Sequence, residues 1–173
     1  YRAQDILTRR FGDCKDKAVL MKTLLAALGI ESELVLVRTR NQGAIDKRAT
    51  SPAVFDHAIL YVPALDRYLD ATATDYGPTE LPAQDEGASA LVVGRSATRF
   101  LQLPVSAASH NWLTRDVTMR VLSDSQVRVT EVISAGGQMA PAFRARFAVP
   151  SSRKQTLETL VNQEYPGGRV MDS

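Results

Sequence analysis

The N-terminal part of the chain carries apolar residues at helical spacing. Between residues 15 and 28 they recur three or four positions apart, without glycine or proline, and Gly29 follows. This pattern predicts a helix over 15–28 that is buried along most of its length and ends at a left-handed glycine. A shorter helix is predicted over 2–10, where Ala3, Ile6 and Leu7 share one face.

After Gly29 the pattern changes to the alternating and β-branched residues that are typical of strands. The predicted strands cover 33–39, 55–62, 67–71 and 90–93, with a polar loop through Asn41, Gly43 and Pro52 and a second loop over 75–89. Helices followed by several strands predict an α+β unit over 1–103.

The remaining residues, 104–173, have a β-rich pattern of their own. It predicts a three-stranded meander over 116–122, 126–134 and 142–148, with turns at Asp124-Ser125 and Gly136-Gly137. A helix is expected from Ser151 to Glu164, before Pro166-Gly167-Gly168. The second unit is thus a β-rich segment with a terminal helix.

The strands over 55–62 and 67–71 are close enough in sequence to form an antiparallel hairpin. A two-residue loop at Pro63 and Ala64 would place His57 directly across from Asp70, with Cβ atoms about 4.5–5.5 Å apart. A four-residue loop would move Asp70 to the diagonal position on the same face. Both registers keep the carboxylate within reach of the imidazole.

Composition excludes several classes of protein. With 173 residues and a formal charge of +2, the chain has the make-up of a globular protein. Lysine and arginine are not concentrated on any helix face, so nucleic-acid binding is not expected, and the apolar runs are too short for a membrane span. A single cysteine allows no disulfide within the chain. Because the sequence opens with Tyr1 rather than methionine, we expect a processed or excised piece.

That single cysteine, Cys14, stands where a loop gives way to the predicted helix over 15–28. Unpaired N–H groups and the positive end of the helix dipole at this point favour a thiolate over a thiol, as do Lys15 and Lys17. Gly12 would let the backbone approach a substrate, and the N–H of Cys14 could donate to a developing oxyanion. The alternative is that Cys14 is simply a small buried apolar residue.

His57 and Asp70 complete a nucleophile, base and orienting carboxylate in chain order. Either could instead be structural: His57 as a satisfied core residue, Asp70 as a strand-end residue bonded to its own backbone. Asp13 and Asp16 are interpreted as helix caps, and His110 as structural. Neither metal-ligand spacing nor a glycine-rich phosphate loop is found, so no metal site and no cofactor is expected.

Residues 1–93 resemble the bacterial transglutaminase-like superfamily, a branch of the papain-like cysteine enzymes. The resemblance rests on four segments, 11–18, 25–30, 55–59 and 68–72: Phe-Gly-Asp-Cys-Lys-Asp-Lys-Ala, Leu-Ala-Ala-Leu-Gly-Ile, Phe-Asp-His-Ala-Ile and Tyr-Leu-Asp-Ala-Thr. It implies a fold in which a core helix packs on an antiparallel sheet, with Cys14, His57 and Asp70 as the catalytic nucleophile, base and orienting residue.

The resemblance also implies the reaction and the setting. Such proteins act on protein or peptide substrates through a thioester, as proteases or acyl transferases. Many have a β-rich domain before the core and more β structure after it, and are exported in Gram-negative bacteria, which implies a periplasmic or cell-envelope location. A non-catalytic module that binds a peptide or envelope partner with the same fold remains the alternative.

Overall fold

The computed structural model describes residues 1–45, 51–95 and 97–171. The chain divides into two compact units, Tyr1–Ser106 and Ala107–Ser173, which are described separately. Residues 46–50 of the predicted polar loop lie outside the described part of the chain.

The first unit is an α+β structure in which two helices accompany a five-stranded antiparallel sheet. Its strand order is β3-β2-β1-β4-β5. The elements, in chain order, are α1 (Ala3–Arg9), α2 (Cys14–Ala27), β1 (Glu33–Arg38), β2 (His57–Val62), β3 (Arg67–Leu69), β4 (Ser89–Val93) and β5 (Thr98–Gln102). The predictions of both helices and of the first four strands are confirmed, while β5 was not predicted.

The central strands β1 and β2 are almost continuously apolar because both faces of the sheet are covered. On one face Ala58 and Leu60 pack against Ala18 of α2, with Met21 and Leu25 beside them. The other face is covered from the long loop before β4 and from the segment after β5, and its buried residues are Val35, Val37, Ile59, Leu81, Ala88, Ala90, Val92 and Leu103. The packing on both faces of the sheet fixes the start of β2, where His57 lies.

The hairpin of β2 and β3 has the four-residue loop, not the two-residue loop. Leu60 pairs with Leu69 and Val62 with Arg67. A 3₁₀ turn over Pro63–Leu65 leads into Asp66, which adopts a left-handed conformation (φ 49°). Strand β3 also stops at Leu69 instead of continuing to residue 71. The direct cross-strand pairing of His57 with Asp70 is therefore wrong, and Asp70 lies just beyond the strand.

The second unit contains a long hairpin, β6 (Trp112–Ser123) and β7 (Gln126–Gly136), and two helices, α3 (Ala140–Arg146) and α4 (Arg153–Glu164). The predicted turn at Asp124-Ser125 is confirmed, as is the helix ending at Glu164. Gly136 lies within β7 rather than in a turn. It pairs with Trp112, whose indole would be 2.4 Å from a Cβ at Gly136.

The third strand predicted over 142–148 is wrong, because these residues lie largely in α3. The segment Ala-Pro-Ala-Phe-Arg-Ala-Arg alternates in polarity, which suggested a strand. Its alanines and arginines are nevertheless strong helix formers, and Pro141 sits in the first turn, where its missing N–H leaves no helical hydrogen bond unmade.

None of the helices in the described residues combines the length and the apolar character needed to cross a membrane.

Candidate active site

Cys14 is the first residue of α2 and lies half-buried against the core. The helix begins there because Asp13 and Asp16 form a capping box: the Asp16 N–H donates to Asp13 Oδ1 (2.9 Å), and the Asp13 N–H donates to Asp16 Oδ2 (3.3 Å). The interpretation of both aspartates as caps is confirmed. As the first helical residue, Cys14 has an N–H without an intrahelical acceptor.

Gly12 is needed for packing at this corner. A Cβ at this position would lie 2.7 Å from the Asp16 Cβ and 3.3 Å from Ile6 Cγ2. The backbone therefore passes close to the capping box and α1, which sets the entry of the chain into α2 and the place of the Cys14 sulfur.

His57 and Asp70 are in direct contact. His57 Nε2 lies 3.1 Å from Asp70 Oδ2, and both side chains are buried. The other Asp70 oxygen, Oδ1, accepts hydrogen bonds from the N–H and the hydroxyl of Thr72, each 2.7 Å long. Asp70 thus does both things that the sequence suggested: it bonds to its own backbone turn, which ends β3, and it fixes the orientation of the imidazole.

The surroundings of His57 favour its charged form. Burial lowers the pKa of His57, but the hydrogen bond and charge of Asp70, the nearby Cys14 side chain and the charge of Asp85 raise it to about 9. Because Nε2 is occupied by Asp70, Nδ1 is the ring nitrogen left for the Cys14 sulfur. Burial raises the pKa of Asp70, but its hydrogen bonds from His57 and Thr72 hold that pKa below the usual value.

Sequence reasoning missed Asp85, a carboxyl group beside this pair. Asp85 is fully buried, and its Oδ2 lies 4.0 Å from His57 Nε2. Burial raises its pKa to about 7; the charge of Asp70 acts in the same direction, and that of His57 opposes it. Asp85 belongs to a polar loop segment, Pro82–Gly87, that looks solvent-exposed in the sequence. Apolar Leu81 and Ala88 flank this segment, but this signal is too weak to indicate that a carboxyl group between them is buried.

One donor atom from each of His57, Asp70 and Asp85 lies within 4.8 Å of the other two. One nitrogen and two carboxylate oxygens could hold a divalent cation such as zinc. A cation bound there would displace the hydrogen bond between His57 and Asp70. The arrangement as it stands is an acid–base pair with an additional carboxyl group.

Asp56 links the start of β2 to the end of β1 and so helps to fix the position of His57, the next residue. Its Oδ1 accepts the Thr39 N–H (2.8 Å) and its Oδ2 accepts the Thr39 hydroxyl (2.6 Å), which joins the ends of β1 and β2. Burial raises the pKa of Asp56, but these bonds outweigh it and hold the pKa below its usual value.

Replacing Asp56 by alanine is expected to destabilise the first unit by about 1–3 kcal/mol, because it leaves the buried Thr39 N–H unpaired. Hydrogen exchange of the amides in β1 and β2 measures this loss. Asp56→Asn, which retains one acceptor oxygen, should lose less. Equal protection in the wild type and Asp56→Ala would show that the Thr39 bonds do not fix this strand end.

Two other features lie apart from the pair. His110 is exposed in a 3₁₀ turn of the second unit, Ala108–His110. A depression of about 190 Å³ flanks the start of α2 and is lined by Tyr1, Ile6, Arg9, Phe11 and Asp16. It is smaller than typical ligand pockets and includes none of the three predicted catalytic residues.

The structure therefore brings together Cys14, His57 and Asp70, the residues proposed from sequence, and adds Asp85. Comparisons of the chain with protein-family models, with curated proteins and with solved structures gave no match.

Proposed function

We propose that the first unit catalyses cysteine-dependent acyl transfer or hydrolysis at peptide or carboxamide bonds. The observation that carries this proposal is the 3.1 Å contact of His57 with Asp70 next to a cysteine at the start of a capped helix. Transglutaminase-like and papain-like cysteine enzymes have the same set of groups, and we propose that residues 1–103 form such a catalytic core.

In this proposal the Cys14 thiolate attacks the carbonyl carbon of the substrate, and the charge that develops on the oxygen is stabilised by the Cys14 N–H. The C–N bond then breaks, and the His57 imidazolium gives its proton to the leaving amine or ammonia. The product of this half-reaction is a thioester on Sγ. Asp70 holds the ring orientation and stabilises the imidazolium throughout.

The second half-reaction regenerates the thiolate and the imidazolium. His57, now neutral, takes a proton from the attacking water or amine, and the thioester breaks to give an acid or a new amide. Water gives hydrolysis and a bound amine gives transfer, so pocket shape decides between a protease and a transferase. A protein or peptide substrate fits both. An exported, periplasmic or cell-envelope protein is proposed from the sequence resemblance alone.

The test is to incubate the protein with a glutamine-containing peptide and a primary amine and to follow the intact mass and the peptide products. We expect an adduct on Cys14, amine incorporation or peptide hydrolysis. Cys14→Ala should abolish all three, and Asp70→Asn should slow product formation by about 10³–10⁴-fold because the ring loses its orienting charge. Folded protein that yields no adduct and no product would favour the alternative, a peptide- or envelope-binding module.

A further inference from the structure

Asp85 places a carboxyl group in a buried position where packing alone would favour an apolar side chain. Its side chain is fully inaccessible, and neither carboxyl oxygen accepts a hydrogen bond from a donor in the described residues; as a neutral acid, Asp85 can share its proton with Asp70. Burying a carboxyl group that no donor satisfies is unfavourable, and an apolar residue would fill the same space without that penalty. A residue held there against this penalty points to a role in the adjacent site.

Three backbone hydrogen bonds hold the loop around Asp85. The Asp85 N–H donates to the Pro82 carbonyl (2.8 Å), the Ala88 N–H donates to the Asp85 carbonyl (3.0 Å), and the Arg40 N–H donates to the Gln84 carbonyl (2.8 Å). The first two bonds shape the loop, and the third ties it to the turn that follows β1. The carboxyl group of this hydrogen-bonded loop lies 4.0 Å from His57 Nε2.

We propose that Asp85 is a positioning residue of the Cys14 site, which acts through His57 and Asp70 and does not touch the substrate. This inference rests on the proposed function, because the ring it acts on is the proposed base. In its neutral form Asp85 leaves Asp70 as the single negative partner of the imidazole. In its ionised form it places a second negative charge beside the same ring edge and holds the imidazolium more tightly.

The groups that face this pair come from four elements. Besides each other, the described titratable groups with the largest effects on His57 or Asp85, or affected by them, are Cys14 at the start of α2, Asp56 before β2, Asp70 after β3, and Tyr76 in the loop before β4. Asp85 and Asp70 are the carboxyl groups whose donor atoms lie within 4.8 Å of the ring nitrogen and of one another. A change in the charge of Asp85 is therefore felt directly at the ring.

The experiment is a pH titration of the His57 Cε1–H resonance by NMR, with the whole chain in a buffer containing EDTA. A Cys14→Ser background removes titration of the thiol. The chain has two histidines, and His110→Gln assigns the two signals. The same titration is repeated with Asp85→Asn and with the matched control Glu86→Gln, a neighbouring buried carboxylate that accepts the Ser106 N–H instead.

We expect the His57 resonance to titrate in two steps, the lower one near pH 7. Asp85→Asn should remove that step and lower the apparent pKa of the ring by about one unit, because a nearby negative charge is lost. Glu86→Gln should keep both steps. A merely structural Asp85 would leave the titration of the ring unchanged, so an Asp85→Asn curve identical to its parent overturns the proposal.

If Asp85→Asn does not fold, the titration of the His57 resonance in the Cys14→Ser protein decides. Two titration steps support the role of Asp85, and a single step overturns it. The measurement needs no turnover and no thiol. A failure to form a thioester on Cys14 would therefore overturn the proposed function while leaving the coupling of Asp85 to His57 measurable.

Discussion

Replacing His57 by alanine is expected to slow the alkylation of Cys14 by iodoacetamide at pH 6 by roughly 100-fold. An ordinary thiol is ionised to only about 0.3% at this pH. In the proposed pair, the imidazolium of His57, whose pKa is raised to about 9, is the positive partner that makes Cys14 reactive at this pH. Removing the ring removes that partner, and the reactive thiolate becomes scarce.

The rate is measured by mass spectrometry of the intact protein, because a single cysteine gives a single adduct. His110→Ala is the matched control, since His110 is exposed and belongs to the second unit. It should react as fast as the wild type, and Cys14→Ser should not react at all. Wild-type Cys14 that is slow at pH 6, and no slower after His57→Ala, would contradict a thiolate–imidazolium pair.

Replacing Asp85 by asparagine is expected to stabilise the first unit at pH 8 by about 2–4 kcal/mol and to leave its stability at pH 4 nearly unchanged. The pKa of Asp85 is raised from 3.8 to about 7 in the folded protein. Between these values the folded chain binds more protons than the unfolded chain, so the free energy of unfolding falls as the pH rises from about 4 to about 7. Asparagine cannot ionise, and this fall disappears.

His57 gives a second pH dependence in the wild type, and Asp85→Asn moves its upper end down by about one pH unit. Its pKa is raised from 6.5 to about 9, so its contribution to stability is complete below about pH 6.5 and is lost as the pH rises through 9. The Asp85→Asn difference is therefore read between pH 4 and pH 8, where the change in Asp85 dominates.

Hydrogen exchange of the β1 and β2 amides is the suitable probe of this stability. The single tryptophan, Trp112, lies in β6, so its fluorescence reports the second unit. Glu86→Gln serves again as the control, because its carboxylate accepts the Ser106 N–H. Equal protection of the wild type and Asp85→Asn at pH 8 would show that the buried carboxyl is not destabilising there.

The helix α2 and the contact between His57 and Asp70 could be predicted because local patterns determine them. A long apolar stripe that ends at Gly29 gives the helix, and a hairpin with either loop length leaves Asp70, just beyond β3, near His57. The choice between the two registers was not available from sequence. It depends on the turn at Pro63–Leu65, where Asp66 accepts a left-handed conformation.

Asp85 and β5 could not be predicted, for opposite reasons. Asp85 looks like a residue of an exposed loop, yet the loop is held under the sheet by long-range backbone bonds such as Arg40 to Gln84. Strand β5 is mostly exposed and pairs with the rest of the sheet through β4 alone, so its residues carry little apolar periodicity. In both cases the decisive contacts join segments far apart in the sequence.

The strand order β3-β2-β1-β4-β5 has a consequence for the newly made chain. Cys14 emerges from the ribosome well before His57, Asp70 and Asp85, and β1 must pair with both β2 and β4 before these groups meet. The four groups therefore meet only once the chain has been synthesised through β4, so the proposed site forms late in the assembly of the first unit.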